Sequence, residues 1–161
     1  YADMCEDILR RTREAIAKSS QDLEHVEGIA PEALFQAIIA PHKGKVILVD
    51  FWNTWCGPCR KAIKEIEPYK TGQLSSDDLV WVYIANGTSP IGTYSNMITG
   101  IKGVHYRVSD AQWDYLTSKM FDIDGIPSYV LVNRDGSYSL RNDLRRHSNM
   151  LSVLKEKLEK K

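Results

Sequence analysis

The stretch 46–60, VILVDFWNTWCGPCR, constrains the fold more than any other part of the chain. Val46, Ile47, Leu48 and Val49 form a short apolar, largely β-branched run, the composition of a strand buried on both faces. Gly57 and Pro58 punctuate its far side. Pro58 suits the first turn of a helix, where its missing N–H would be unpaired anyway. Ala62, Ile63, Ile66 and Tyr69 then recur at three- and four-residue spacing, with Lys and Glu between them. The stretch predicts a buried strand running straight into a helix. Cys56 stands at the helix N-terminus and Cys59 one turn in, on the same side.

That placement has chemical consequences. Free N–H groups and the helix dipole at an N-terminus favour an anion, here a thiolate. The thiolate is the nucleophile in disulfide exchange, and such a setting lowers the pKa of a Cys. Two intervening residues let the second thiol close a disulfide with the first. The first Cys attacks, and the second resolves the mixed disulfide.

WCGPC after an apolar strand ending in Asp50, Phe51 and Trp52 resembles the thioredoxin superfamily. Within it, the chain looks most like the bacterial thiol–disulfide oxidoreductases of the TlpA/ResA type. The resemblance covers about residues 44–159 and rests on GKVILVDFWNTWCGPCR, FDIDGIP and SYVLVNRDGSYSL. It implies a thioredoxin-like three-layer α/β sandwich, a central mixed sheet with helices on both faces. A helical extension over 1–30 is expected to precede this domain, which then spans 31–161.

Other readings of the motif are less well supported. A lone CxxC could be half a zinc site, but no second CxxC or His pair at ligand spacing exists in the sequence. A peroxidase of the related peroxiredoxin type would place Thr three residues before its Cys, where Asn53 stands. A thioredoxin-like binding module with a vestigial motif is the remaining alternative.

The length of 161 residues suits one domain of ordinary size. Twenty-one basic and twenty-one acidic residues cancel and form no basic stripe, which argues against a nucleic-acid partner. No apolar run approaches membrane-spanning length. Three Cys are too few for a disulfide-stapled scaffold, which points to redox use. The chain opens on Tyr1 and shows no signal peptide, so it is read as a processed or trimmed piece.

Residues 2–27 read as a helix with Ile8, Thr12, Ala15, Ile16, Ser19, Leu23 and Val26 near one face. Cys5 fits there as a small buried hydrophobe. Gly28 ends this helix, and Pro31 opens a short one through Leu34, Phe35, Ile38 and Ile39. Residues 79–85 form the next strand, 91–98 a helix and 104–108 a short strand. A helix follows over 110–120 with Ser109 as its N-cap. Residues 128–132 and 138–140 read as strands about the turn Asn133-Arg134-Asp135-Gly136. The last helix carries Leu144, His147, Leu151, Leu154 and Leu158 on one face.

Asp50 lies in the central strand, where a carboxylate is costly to bury. The resemblance implies that it sits beneath the second Cys and helps move its proton. The family's lysine partner on the next strand has no match, since 79–85 contains no Lys. The resemblance also implies that the Ile126-Pro127 bond is cis and faces the CxxC, with the backbone of Ile126 pairing to an extended peptide. Trp55, Gly57 and Pro58 would supply the contact surface around Cys56. One departure concerns the kink that thioredoxins place five residues after the second Cys. Lys64 stands there, and Pro68 comes one turn later.

The expected function is reduction of protein disulfides, with Cys56 as nucleophile and Cys59 resolving. No metal, flavin or nucleotide is implied. A recycling dithiol protein must restore the pair. The resemblance implies a periplasmic or otherwise extracytoplasmic bacterial location, and leaves open a membrane anchor upstream of Tyr1.

Overall fold

A computed structural model of the chain describes Val26 and residues 28–160. The expected N-terminal helix and Cys5 therefore fall outside the described residues, apart from Val26. The elements in order are α1 (Pro31–Ile39), β1 (Val46–Phe51), α2 (Gly57–Lys70), β2 (Leu79–Asn86) and α3 (Ile91–Ile98). They continue with β3 (Val104–Val108), α4 (Asp110–Asp114), β4 (Ser128–Val132), β5 (Tyr138–Leu140) and α5 (His147–Glu159).

The strands form one mixed sheet in the order β3-β2-β1-β4-β5. β1 pairs in parallel with β2, and β2 with β3. β4 runs antiparallel to both β1 and β5. β1 is thus the middle strand, and all six of its residues are buried. That explains its unbroken apolar run, since a strand covered on both faces has no polar side to alternate with.

Alternation along β1 divides the core in two. Val46, Leu48 and Trp52 face a layer that includes Cys59, Ile63 and Ile66 of α2 and Leu154 of α5. Ile47, Val49 and Phe51 face Leu34, Phe35 and Ile38 of α1 and Leu116. On that second side Phe35 meets Phe121 edge to face, with ring centroids 5.0 Å apart. Helices on both faces of a mixed sheet make the thioredoxin-like three-layer sandwich.

Several local expectations need amendment. The helix after Ser109 is α-helical only to Asp114 and continues as a π-helical segment, Tyr115–Met120. The wider turn fits its bonding, since the Phe121 N–H reaches the Leu116 carbonyl, five residues back. Ser109 caps this helix in a full capping box with Gln112. Leu144 belongs to a 3₁₀ turn, Asn142–Arg145, rather than to α5. Within α5 the buried pair is Met150 and Leu154. Pro68 lies inside α2, near its C-terminal end.

Gly103 marks a backbone crossing. A Cβ there would lie 2.7 Å from the Trp81 carbonyl oxygen and 2.8 Å from the Tyr83 ring, and its φ is +153°. Only glycine lets the chain entering β3 pass so close to β2.

Candidate active site

Cys56 is the N-cap of α2, and its sulfur accepts a hydrogen bond from the Cys59 N–H at 3.2 Å. The two residues form a disulfide, with Cα atoms 5.2 Å apart. Cys56 keeps 5% of its surface exposed and Cys59 none, so the first sulfur is the one that a partner can approach. Gly57 and Pro58 are exposed in the first turn of α2, and no atom lies within 4 Å of a Cβ built on Gly57.

The Ile126-Pro127 peptide is cis and lies opposite this helix terminus. The Ile126 carbonyl oxygen stands 3.8 Å from the Cys56 sulfur. Both Ile126 and Pro127 are half-buried. Fold topology explains the meeting. β4 pairs with β1 from Phe51↔Ser128 onward, so the segment before β4 arrives at the end of β1 from which the Cys56 loop departs.

Trp55 is 60% exposed, the most open large apolar side chain among those described. Its indole N–H donates to the Thr88 hydroxyl at 2.8 Å, and that hydroxyl donates to the Asn86 side-chain carbonyl. Beneath it, Asn53 is buried. Its side-chain oxygen accepts from the Ser89 hydroxyl at 2.7 Å and from the Asn86 N–H at 3.2 Å. Ser89 in turn accepts from the Thr54 N–H. The position where a peroxiredoxin would carry Thr therefore ties the Cys56 loop to the end of β2.

Asp50 is buried, and its register partners are Tyr83 on β2 and Tyr129 on β4. The three side chains share a sheet face, the one covered by α2. Asp50 Oδ1 has no hydrogen-bond partner. Burial pushes the Asp50 pKa up to about 8, and the charge of Lys70 acts against that rise. The same carboxylate helps to hold the hydroxyls of Tyr83 and Tyr129 well above the ordinary tyrosine range, after burial as the main cause.

Lys70 is the main addition to the expected site. It comes from the last residue of α2, not from β2, and it is buried. Its ammonium donates to the Tyr83 hydroxyl, to the Lys102 carbonyl at 2.7 Å and to Glu67 at 2.8 Å. All three donors are therefore in use. It also lies over the Trp81 ring, 4.9 Å from the centroid. Burial lowers its pKa, while Glu67 and Asp50 act to raise it. A usable signal was present in the sequence. Cys59, Ile63, Ile66 and Lys70 follow one stripe of a helix, and the first three are apolar or redox-active residues that face inward.

Among the described residues, no group of three or more His, Cys, Asp and Glu side chains is placed to hold a metal ion. No described helix is long and apolar enough to cross a membrane.

A family model described as thioredoxin-like matches residues 44–138. The chain belongs to the thioredoxin-like family. This thioredoxin-like chain is 30% identical over 97 residues to the thiol-disulfide oxidoreductase ResA of Bacillus subtilis, covering 58% of the chain and 50% of that protein. It thus spans about half the length of that relative. A putative thiol-disulfide oxidoreductase from Bacteroides vulgatus superposes with a TM-score of 0.55 at 26% identity, over 72% of this chain and 77% of that one. A thioredoxin-family thiol:disulfide interchange protein from Chlorobium tepidum TLS superposes with a TM-score of 0.62 at 23% identity, over 74% and 84%. The latter likeness concerns the fold.

Proposed function

We propose that this protein is a thiol–disulfide oxidoreductase that reduces disulfides in protein substrates. The observation that carries the reading is the Cys56–Cys59 pair at the α2 N-terminus, with the more open sulfur 3.8 Å from the Ile126 carbonyl. In the reduced enzyme, the Cys56 thiolate attacks one sulfur of the substrate disulfide. A mixed disulfide forms, and the other substrate sulfur leaves as a thiolate that takes up a proton. Cys59 then gives its proton to the Asp50 carboxylate and attacks the Cys56 sulfur. The Cys56–Cys59 disulfide forms, and the substrate leaves as a dithiol carrying two electrons.

Ile126 and Pro127 dock the peptide around the substrate disulfide, and an extended chain pairs with the Ile126 backbone. Trp55, Gly57 and Pro58 form the rest of the contact surface. A second dithiol protein reduces the pair again. The protein works outside the cytoplasm, a reading supported by its resemblance to bacterial TlpA/ResA-type proteins.

The test is reduction of insulin by the reduced protein, with a small dithiol to recycle it. Turnover that vanishes in Cys56→Ser is expected. A wild-type protein without turnover would sink the reading and leave a binding module.

A further inference from the structure

Hydrogen bonds from one side chain hold the segment that faces Cys56. Arg145 closes the 3₁₀ turn Asn142–Arg145, and its Nε donates to the Pro127 carbonyl at 2.7 Å. Its Nη2 donates to the Ser128 hydroxyl at 3.1 Å, and at 3.4 Å to both the Gly125 carbonyl and the Asp124 carboxylate. Ser128 passes its own hydroxyl hydrogen to the Gly125 carbonyl. The carbonyls before and after Ile126 are thus both drawn toward one guanidinium. The Ile126 carbonyl between them stands 3.8 Å from the Cys56 sulfur.

The guanidinium itself starts from a rigid base. Leu144 is fully buried beside it. The Arg141 N–H donates to the Tyr129 carbonyl at 2.7 Å, and the Asn142 side chain accepts from the Tyr129 N–H at 3.2 Å. The turn is therefore fastened to β4 at the residue that lies beside Asp50. A planar fork on such a base can fix two carbonyls and a hydroxyl at once, which a single-point cation cannot.

We infer that Arg145 is a positioning residue for substrate docking: by gripping the backbone on both sides of Ile126, it sets where an incoming peptide pairs relative to the Cys56 sulfur. This rests on the proposed oxidoreductase function. Arg145 touches neither sulfur. Its loss should weaken recognition of an extended chain more than the exchange chemistry itself, because a small disulfide needs no strand-like pairing.

The experiment compares wild type, Arg145→Ala and Arg145→Lys on two substrates: insulin and 5,5′-dithiobis(2-nitrobenzoic acid). Arg145→Ala should raise KM for insulin about tenfold, the scale of one lost charge-assisted hydrogen bond, and change kcat for insulin far less. Its rate loss on the small disulfide should be several-fold smaller. Arg145→Lys should recover part of the KM, since one donor can still reach a carbonyl. Amide NMR of the variants should show shifts at Gly125 and Ile126 but not along α5. An unchanged KM for insulin, equal losses on both substrates, or an unmoved Ile126 amide would each overturn the inference. Those outcomes are distinct from an inactive wild type, which would overturn the proposed function itself.

Discussion

Lys70, at the last residue of α2, acts electrostatically on Asp50 near the C-terminal end of β1, and opposes the burial that pushes the Asp50 pKa up to about 8. The two ends of α2 thereby bear on one another. Cys59 sits in the first turn, and the cation that partly offsets the effect of burial on the proposed proton acceptor sits in the last. Lys70→Met should raise the Asp50 pKa further. The resolving step should then accelerate only at higher pH than in wild type, as read by single-turnover kinetics from pH 6 to 10. The variant should also lose about 1–3 kcal/mol of stability, because the Tyr83 hydroxyl and the Lys102 carbonyl lose their buried donor. An unmoved pH profile would separate Lys70 from the proton-transfer step.

Asp50→Asn removes the titration and keeps the shape. In wild type, the folded state holds the Asp50 proton up to about pH 8, whereas the unfolded chain releases it near the ordinary value of 3.8. Stability from this group is complete below the ordinary carboxylate range and falls as pH rises toward 8. Asp50→Asn should therefore match wild type near pH 3.5 and exceed it by roughly a few kcal/mol at pH 8, measured by urea unfolding. The same variant should release reduced substrate slowly, with the first attack by Cys56 almost unaltered. Equal stability at both pH values would contradict the burial argument.

The unequal exposure of the two sulfurs predicts an order of reaction. Alkylation of the reduced protein at mildly acidic pH should label Cys56 before Cys59. Cys59→Ser should accumulate mixed disulfides with substrates, and Cys56→Ser should not. Mass spectrometry that found the label first on Cys59 would reverse the proposed roles.

Thr88→Val tests the tether on Trp55. The substitution removes the acceptor of the indole N–H and the donor to Asn86. A loss of about 0.5–1.5 kcal/mol is expected, together with a shift of the Trp55 indole resonance in the NMR spectrum. Retention of the wild-type indole shift would show that the ring is held by packing alone.

Gly103→Ala should cost about 1–3 kcal/mol by crowding, since the new Cβ would press on the Trp81 carbonyl and the Tyr83 ring. Thermal unfolding would measure it. Because Lys102 supplies a carbonyl to Lys70, a shift in the Asp50-dependent pH profile should accompany the loss.

Much of this arrangement was legible before the structure. The β-branched run of β1, Pro58 inside the first turn of α2 and the Asn133–Gly136 turn are local signals, and the last of them placed β4 and β5 on either side of one turn; the other strand pairings came from the structure. The cis bond before Pro127 was implied by resemblance, not by spacing. Lys70 was missed because a lysine partner was sought on β2, where parallel pairing would have brought it beside Asp50. A lysine in a helix reads as solvent-facing until its position on the inward stripe is counted. Arg145 left no pattern at all. Two of its four partners on the docking segment are backbone carbonyls, and residue type says nothing about where a carbonyl points. The π-helical segment after Asp114 was equally hidden, since the apolar spacing of a helix does not report which carbonyl each N–H will choose.

The stripe Cys59, Ile63, Ile66 and Lys70 turns α2 into a ruler of fixed length. Each residue of an α-helix advances the side chain by about 100°. A single inserted or deleted residue between Cys59 and Lys70 would swing the ammonium away from Tyr83 and leave a solvent-facing side chain in its place. The loop that follows, residues 71–78, buries Leu74 in the same core but has no helical register to keep. Length variation among descendants of this gene should therefore gather after Lys70 and be absent from the eleven steps before it.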